Sequence, residues 1–304
     1  MRRIATVATL AVAALFAGLA LPGSPLRSRL AALLGDPPVA SPAVRTSDAA
    51  GGGPPLRVAV GAMISPERTY EFYADLFRLL AGRLQRPLEL KQRRTYQELN
   101  ALIRRDEVDV AWICTGAWPE LAEAQAARLL AVPVVEGKKT YNALVLAGPA
   151  IPRASDLAGL GGGRFVFTDP ISLTGCLYPK RRIAELGRDA GSFFSATSFT
   201  GGHDRSIEAV RRGLAAGASV DSLVFRYLAR RFPEEVEGVR VLETSPSFPI
   251  PPLVVPVSAS PEAERLLREA LVNLGSDETG RKLLEALLVD GFAPADEEAY
   301  ARLR

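Results

Sequence analysis

The chain has 304 residues, of which 48% are hydrophobic and 23% charged, with 37 basic and 34 acidic side chains. That length and composition allow one or two domains with a large core, and exclude an intrinsically disordered chain and a small disulfide-stabilised scaffold. The formal net charge is +3, and Arg2 and Arg3 contribute two of these charges. The near-neutral remainder does not predict a nucleic-acid partner. One histidine and two cysteines also exclude most structural zinc sites.

The N-terminus follows the plan of a secretory signal. The basic residues Arg2 and Arg3 precede an uncharged run rich in Ala, Leu and Val, residues 4–21, which ends at Pro22-Gly23. This arrangement predicts export, so the protein is expected to be periplasmic or otherwise extracytoplasmic. The apolar run is long for a cleaved signal and just long enough to span a bilayer. Residues 1–23 are therefore either a signal peptide or an uncleaved anchor that tethers the protein to the inner membrane.

The next segment, residues 24–55, is rich in Pro, Ala, Gly and Ser and ends in the run AAGGGPP. Such a composition buries too little apolar surface to offset the entropy of ordering the chain. It predicts a linker, with the folded module beginning near Leu56.

In the first half of the module, short apolar strands alternate with helical patterns. Strands are predicted at 56–61, 87–90 and 108–113, a helix at 73–84, and a second helix opening at the capping box Thr95-Tyr96-Gln97-Glu98. Alternation of this kind predicts βαβ units and a mainly parallel sheet covered by helices.

The pattern restarts after an apolar strand at 141–147. Further strands are predicted at 164–168, 193–198, 218–221 and 252–257, with helices from about Ser172, around 207–214, from Ser260-Pro261 to Gly275, and around 283–288. If the last helices return to cover the first half, the chain crosses between two lobes twice. The predicted organisation is lobe 1 at 56–145 and 246–304, and lobe 2 at 146–245.

Ligands of open parallel sheets bind beyond the carboxyl ends of the strands. Four loops at such positions are rich in Gly and small hydroxyl residues: 63–65, 114–117, 168–175 and 200–204. Free backbone N–H groups with Ser or Thr hydroxyls at a helix N-terminus form an anion site. The 168–175 loop is the strongest candidate, although Ser172 or Thr174 would also be favoured there as an ordinary helix cap.

Four stretches, residues 108–117, 167–175, 201–207 and 218–222, together resemble the phosphate/phosphite/phosphonate-binding proteins of ABC transporters, the PhnD-like family. The resemblance covers about residues 56–290. It implies an α/β, two-lobed periplasmic-binding-protein (type II) fold, in which each lobe is a mainly parallel sheet flanked by helices and two crossings form a hinge. It also implies an extracytoplasmic solute-binding protein that delivers a small phosphorus oxyanion to a membrane permease. We expect a monomer with no cofactor, no metal and no nucleic-acid partner.

The resemblance also implies a set of ligand-binding residues. From the second lobe these are Ser172, Thr174 and Gly175 in one turn, with His203 and Asp221; from the first lobe they are Thr115, Gly116, Ala117 and Tyr70. Leu173 interrupts a position where many relatives carry a third hydroxyl. Protonation of His203 near neutral pH would tune affinity. Asp221 either caps the helix that follows or favours a ligand with a P–OH or an amine.

Cys114 and Cys176 lie next to proposed contacts in different lobes. A disulfide would lock the lobes shut, so two reduced, partly buried thiols are expected. A nucleophilic set of Cys176, His203 and Asp221 is the alternative that would make the chain an enzyme, but no recognised nucleophile motif surrounds Cys176. A further alternative is the receptor lobe of a signalling system.

Overall fold

The computed structural model describes residues 44–46, 53–61, 63 and 66–303, and the side chains of residues 53–61, 63 and 73–303. The predicted signal or anchor at 1–23 lies outside the described residues, as does most of the predicted linker. None of the described helices combines the length and apolar character that a membrane span requires.

Strands and helices alternate along most of the described chain. The strands are β1 (Val44–Thr46), β2 (Leu56–Val60), β3 (Leu88–Gln92), β4 (Val110–Trp112), β5 (Ala127–Val134), β6 (Thr140–Tyr141), β7 (Ala143–Ala147), β8 (Arg164–Phe167), β9 (Ala196–Phe199), β10 (Gly217–Asp221), β11 (Arg240–Thr244), β12 (Phe248–Pro249), β13 (Leu253–Pro256) and β14 (Gly291–Ala293). The α-helices are α1 (Pro66–Arg83), α2 (Tyr96–Arg104), α3 (Trp118–Glu123), α4 (Tyr178–Glu185), α5 (Ala190–Phe193), α6 (His203–Arg211), α7 (Ser222–Arg231), α8 (Pro261–Val272), α9 (Glu278–Leu287) and α10 (Glu297–Ala301).

Two mixed sheets organise these elements. The first has the strand order β1-β3-β2-β4-β13-β5-β14, and the second has the order β11-β7-β10-β8-β9. In the first sheet β2 is parallel to β3 and β4, and in the second β8 is parallel to β9 and β10. The α/β class is confirmed, and the parallel pairing predicted from the sequence holds within these two groups of three strands.

The other strand pairs are antiparallel. In the first sheet, β13 inserts between β4 and β5 and runs opposite to both. It does so because the chain re-enters this sheet from the second one, and strand–helix alternation alone does not specify that direction.

The chain passes between the sheets along two segments that pair with each other. On the way out it forms β6, on the way back it forms β12, and these two strands make an antiparallel ribbon in which Tyr141 faces Phe248. The first crossing precedes β7, since β7 already belongs to the second sheet.

Local sequence signals account for several boundaries. Thr95 and Glu98 form the predicted capping box of α2, and the Ser260 hydroxyl caps α8 by accepting the Ala263 amide.

Two other elements differ from the sequence-based prediction. β1 lies within the segment assigned to the linker and pairs with β3, because a short Val-Arg-Thr strand can join an open sheet edge. Residues 190–193 form a helix, since Asp189 caps the Gly191 and Ser192 amides.

Candidate functional site

The strongest predicted loop forms a compact turn after β8. Ser172 precedes a π-helical turn, Leu173–Leu177, and its Oγ accepts the Gly175 amide at 3.0 Å. A Cβ at Gly175 would lie 2.4 Å from Thr168 Oγ1 and 2.9 Å from Ser172 Oγ, so only glycine fits there. The Thr174 hydroxyl is buried without a hydrogen-bond partner. Ser172 therefore caps the helix, while Thr174 has a free hydroxyl.

His203 begins α6 and is buried. Its Nδ1 accepts the backbone N–H of Asp221 at 3.2 Å and lies 3.1 Å from Thr168 Oγ1. Because Nδ1 acts as an acceptor, the neutral ring carries its proton on Nε2. Burial lowers the pKa of His203 to about 3, so the ring is neutral at physiological pH. The predicted protonation of His203 near neutral pH therefore does not occur in the unliganded protein.

Asp221 ends β10 and begins the cap of α7. Its Oδ1 accepts the Leu223 amide at 2.6 Å, so the capping role anticipated from the sequence is present. The side chain is only 2% exposed, and burial raises its pKa to about 7. Near neutral pH this carboxyl group can therefore either hold or release a proton.

The pKa values of Asp221 and His203 are shifted in opposite directions, so the two residues should make the stability of the unliganded protein depend on pH in opposite ways. The pKa of Asp221 is about 7 in the fold against 3.8 ordinarily, so between these values the folded state binds an extra proton and stability falls as pH rises. His203, at about 3 against 6.5, has the reverse effect: the unfolded state binds the extra proton, and stability falls as pH decreases.

Asp221→Asn should therefore gain stability relative to the wild type as pH rises from about 4 to 7. His203→Asn should gain relative to the wild type as pH falls from about 6.5 to 3. Melting temperatures of the three proteins across this range test both statements. Differences from the wild type that stay constant with pH would contradict the burial of both groups.

The first-lobe residues lie in a turn after β4, Thr115–Ala117, on the opposite side of the site. Thr115 donates its hydroxyl to the Pro249 carbonyl at 2.9 Å, which ties the turn to the crossing strand β12. The Ala117 carbonyl accepts the Asn100 side chain. Thr115 and Ala117 thus bond within their own side of the molecule. Tyr70 lies in α1, and its side chain is outside the described set.

Gly116 contacts the turn from the other lobe. An added Cβ would lie 2.2 Å from the Ile171 carbonyl oxygen and 2.7 Å from the Leu173 nitrogen. The two backbones can approach this closely only because residue 116 has no side chain.

Two tyrosines complete the cluster and were not among the predicted site residues. Tyr96 begins α2 and Tyr141 lies in β6; both are buried, and neither hydroxyl has a hydrogen-bond partner. Burial raises the pKa of Tyr141 well above its usual value, and nearby Cys114 and Asp221 raise it further. The Thr115 and Thr174 hydroxyls lower it, because they lie beside the Tyr141 hydroxyl without forming a hydrogen bond of normal length. Burial likewise raises the pKa of Tyr96, with contributions from nearby Cys114 and Asp169.

From the sequence, both tyrosines are indistinguishable from core aromatic residues. The available signal is their position, since Tyr96 follows a helix cap and Tyr141 lies at a crossing between lobes. Both positions face a cleft only once the two halves are brought together.

The site is rich in buried neutral hydroxyls. Among the side chains that the structure describes, the buried polar and charged ones include serines, threonines, His203 and three aspartates, but no lysine or arginine. Neutral hydroxyls and dipoles of this kind can hold an anion. Within the same ranges, no group of three His, Cys, Asp or Glu side chains is arranged to hold a metal ion.

Cys114 and Cys176 are free, and both are more deeply buried than the partial burial predicted from the sequence. Burial raises the pKa of Cys114 to about 11, even though the Leu173 and Gly116 amides lower it. Burial also raises the pKa of Cys176, despite the nearby Lys180. Since the thiolate is the nucleophile, these shifts oppose a reactive role for either residue.

Two mixed α/β sheets, joined by two paired crossings, with a buried polar cluster at their junction, define a two-lobed periplasmic binding protein of type II. Solved structures agree. A binding component of an ABC phosphonate transporter from Pseudomonas aeruginosa has a TM-score of 0.77 and 21% identity, covering 83% of this chain and 84% of its own. PhnD1 from Prochlorococcus marinus, solved with methylphosphonate, has a TM-score of 0.73 and 16% identity, covering 82% and 95%.

The sequence itself places the chain more narrowly. Residues 58–300 match the family described as ABC transporter, phosphonate, periplasmic substrate-binding protein, and the chain belongs to that family. It is therefore an extracytoplasmic solute-binding protein of an ABC phosphonate transporter, with a small-molecule ligand and a membrane permease as partners. It is not an enzyme, and the resemblance identified from four short stretches is confirmed.

Proposed function

We propose that the chain binds a small phosphorus oxyanion, namely phosphate, phosphite or a phosphonate, in the cluster between its two sheets. One observation carries this proposal: three buried hydroxyls, those of Tyr96, Tyr141 and Thr174, have no hydrogen-bond partner in the protein. An unsatisfied buried hydroxyl costs about 1–3 kcal/mol, and native proteins retain few of them. Three in one cluster indicate a site built for a ligand with several acceptor oxygens.

The three hydroxyls come from different parts of the fold. Tyr96 belongs to the first lobe, Thr174 to the second and Tyr141 to the crossing ribbon. A ligand that accepts all three bonds therefore links both lobes and the hinge, which favours closure over the bound anion. With water excluded, each such hydrogen bond is stronger than it would be in solvent.

The remaining predicted residues have supporting roles in this proposal. Ser172 and Gly175 shape the turn that presents Thr174, while Thr115, Gly116 and Ala117 form the opposing wall. His203 adds a neutral ring, and Tyr70 is retained as a candidate from α1. In its ionised form, the Asp221 carboxylate would accept a hydrogen bond from a P–OH group or an amine and repel a fully ionised oxyanion. Sulfate should therefore bind poorly.

The binding prediction is tested by titrating the protein with phosphate, phosphite, methylphosphonate, 2-aminoethylphosphonate and sulfate. At about 100 times its dissociation constant, a ligand should raise the apparent stability by roughly 2.7 kcal/mol, measured as a melting-temperature shift. We expect a shift with at least one phosphorus oxyanion and none with sulfate. The absence of any shift across the panel would refute the proposal.

Calorimetry with the Thr174→Val variant tests where the oxyanion binds. Valine keeps the shape of the threonine side chain but removes its free hydroxyl, so the affinity for the oxyanion should fall by about tenfold or more. Thr197→Val, on the exposed edge strand β9, is the matched control and should bind like the wild type. Equal affinities for the two variants would place the anion elsewhere.

We also propose that the protein acts as a monomer with lobes at 56–145 plus 246–304 and at 146–245, adjusted so that β7 lies in the second lobe. Sheet membership of the strands supports this division. For residues 1–23 we favour a cleaved signal over a tether to the inner membrane. The mass of the mature N-terminus distinguishes the two.

A further inference from the structure

Asp169 connects the two lobes through a single buried side chain. It follows β8 in the second sheet and is 3% exposed. Its Oδ1 accepts the amide of Ile171, two residues along the same turn, at 3.0 Å. Its Oδ2 accepts the amide of Tyr96, the first residue of α2 in the first lobe, at 3.1 Å. The two oxygens therefore bond to opposite sides of the cleft.

The Tyr96 amide is available because of how α2 begins. The first amides of a helix have no partner within the helix. In α2 the capping box supplies hydrogen-bond acceptors for the amides around Tyr96. Thr95 Oγ1 accepts the Glu98 amide, and the Glu98 carboxylate accepts the amides of Thr95 and Arg94. The Tyr96 amide is left for Asp169, and a carboxylate at this end of a helix is also favoured by the helix dipole.

The same contact is joined to the turn formed by Ser172 and Leu173–Leu177, which presents Thr174 and is called the anion turn below. The Ser172 amide donates to the Asp169 carbonyl at 3.0 Å, so Asp169 holds the turn with its backbone as well as its side chain. A second bond across the cleft lies nearby, from the His203 amide to the Met63 carbonyl at 3.0 Å. Loss of the Asp169 side chain would therefore loosen both lobe closure and the turn that presents Thr174.

We propose that Asp169 is a closure latch: a positioning residue that holds α2 of the first lobe against the anion turn of the second and so sets the affinity of the cleft. Its effect on affinity rests on the proposed function, but its effect on closure does not. Asp169 itself need not touch the ligand.

Asp169→Asn tests the latch by amide hydrogen exchange without any ligand. The carboxamide can still accept from Ile171, but it presents an N–H group to the Tyr96 amide. We expect faster exchange at the Tyr96 and His203 amides, with unchanged exchange in β2 and β10. Asp189→Asn is the matched control, because Asp189 caps two amides within its own lobe. It should leave the Tyr96 and His203 amides protected.

If Asp169→Asn does not fold, Asp169→Ser replaces it, since a serine hydroxyl can accept from Ile171 but is too short to reach across the cleft. Exchange at Tyr96 that is as fast in the wild type as in the variant would overturn the latch. Exchange that rises throughout β2 and β10 would also overturn it, since that outcome shows a general loss of structure.

Calorimetry and stopped-flow kinetics with methylphosphonate supply the second measurement. Loss of a hydrogen bond to a charged group predicts an affinity roughly tenfold to a hundredfold lower, mainly through faster dissociation. Unchanged affinity in a variant that opens faster would overturn the coupling to binding. If the wild type binds no phosphorus oxyanion, the proposed function fails, whereas the exchange measurement still decides whether the latch exists.

Discussion

Replacing Tyr96 by phenylalanine is expected to stabilise the unliganded protein and to weaken its binding of a phosphorus oxyanion. The Tyr96 hydroxyl is buried without a partner, so its removal relieves a desolvation cost of about 1–3 kcal/mol. For a protein of this size the melting temperature should rise by about 2–4 °C per kcal/mol. The same change removes a donor to the anion, so affinity should fall roughly tenfold to a hundredfold.

Tyr300→Phe is the matched control. Tyr300 is also buried, but its hydroxyl donates to the Ile250 carbonyl. Removing that hydroxyl leaves an acceptor unpaired, so this variant should be less stable than the wild type and should bind normally. Thermal denaturation and calorimetry distinguish the two variants. If Tyr96→Phe were also less stable, the Tyr96 hydroxyl would have a structural role instead of a ligand-binding one.

Gly116→Ala is expected to prevent complete closure of the cleft. The added methyl group would lie 2.2 Å from the Ile171 carbonyl oxygen and 2.7 Å from the Leu173 nitrogen. Both of these are backbone atoms, so the clash cannot be relieved by a change of side-chain rotamer. Overpacking of this kind costs about 1–3 kcal/mol, occasionally more. At the upper end of this range, the affinity should fall by about a hundredfold. Because the clash exists only when the lobes meet, the fold of each lobe should be unaffected.

Small-angle scattering with saturating methylphosphonate measures the closure, and calorimetry measures the affinity. The wild type should become more compact with ligand, whereas Gly116→Ala should not. The control is Gly82→Ala, an exposed position in α1 where an added Cβ meets nothing within 4 Å. Equal compaction of Gly116→Ala and the wild type would mean that the backbone contact at Gly116 is not required for closure.

The proposed binding and closure involve opposing contributions. Tyr96, Tyr141 and Thr174 leave hydroxyls unsatisfied, which should destabilise the closed cleft in the absence of a ligand. The Asp169–Tyr96 bond and the close approach at Gly116 should favour the closed cleft. A ligand that satisfies the hydroxyls shifts the balance, so substitutions on the two sides should have opposite effects on the unliganded protein.

Local sequence patterns were sufficient for much of this fold. The capping box at Thr95 and Glu98 and the cap at Ser260 were identified correctly, because capping depends on residues within one turn. Four short stretches in order were enough to recognise the family, and the Ser172–Gly175 turn was located because a glycine and a hydroxyl have a purely local geometry there.

The contacts between lobes could not be obtained in this way. Tyr96 and Tyr141 have the same sequence pattern as core aromatic residues, and Asp169 has the pattern of an ordinary turn aspartate. Their roles depend on which groups from a distant part of the chain they meet, as in the Asp169 bond to Tyr96. The direction of β13, which is antiparallel to β4 and β5, was likewise outside local prediction.

The sequence by itself determined the α/β class, the family and the turn around Ser172, because each depends on composition or on neighbours a few residues apart. The tertiary structure alone decided that the hydroxyls of Tyr96, Tyr141 and Thr174 are left unpartnered and that His203 is neutral. The physical reason is that hydrogen-bond satisfaction and desolvation depend on burial, which exists only after the two lobes come together.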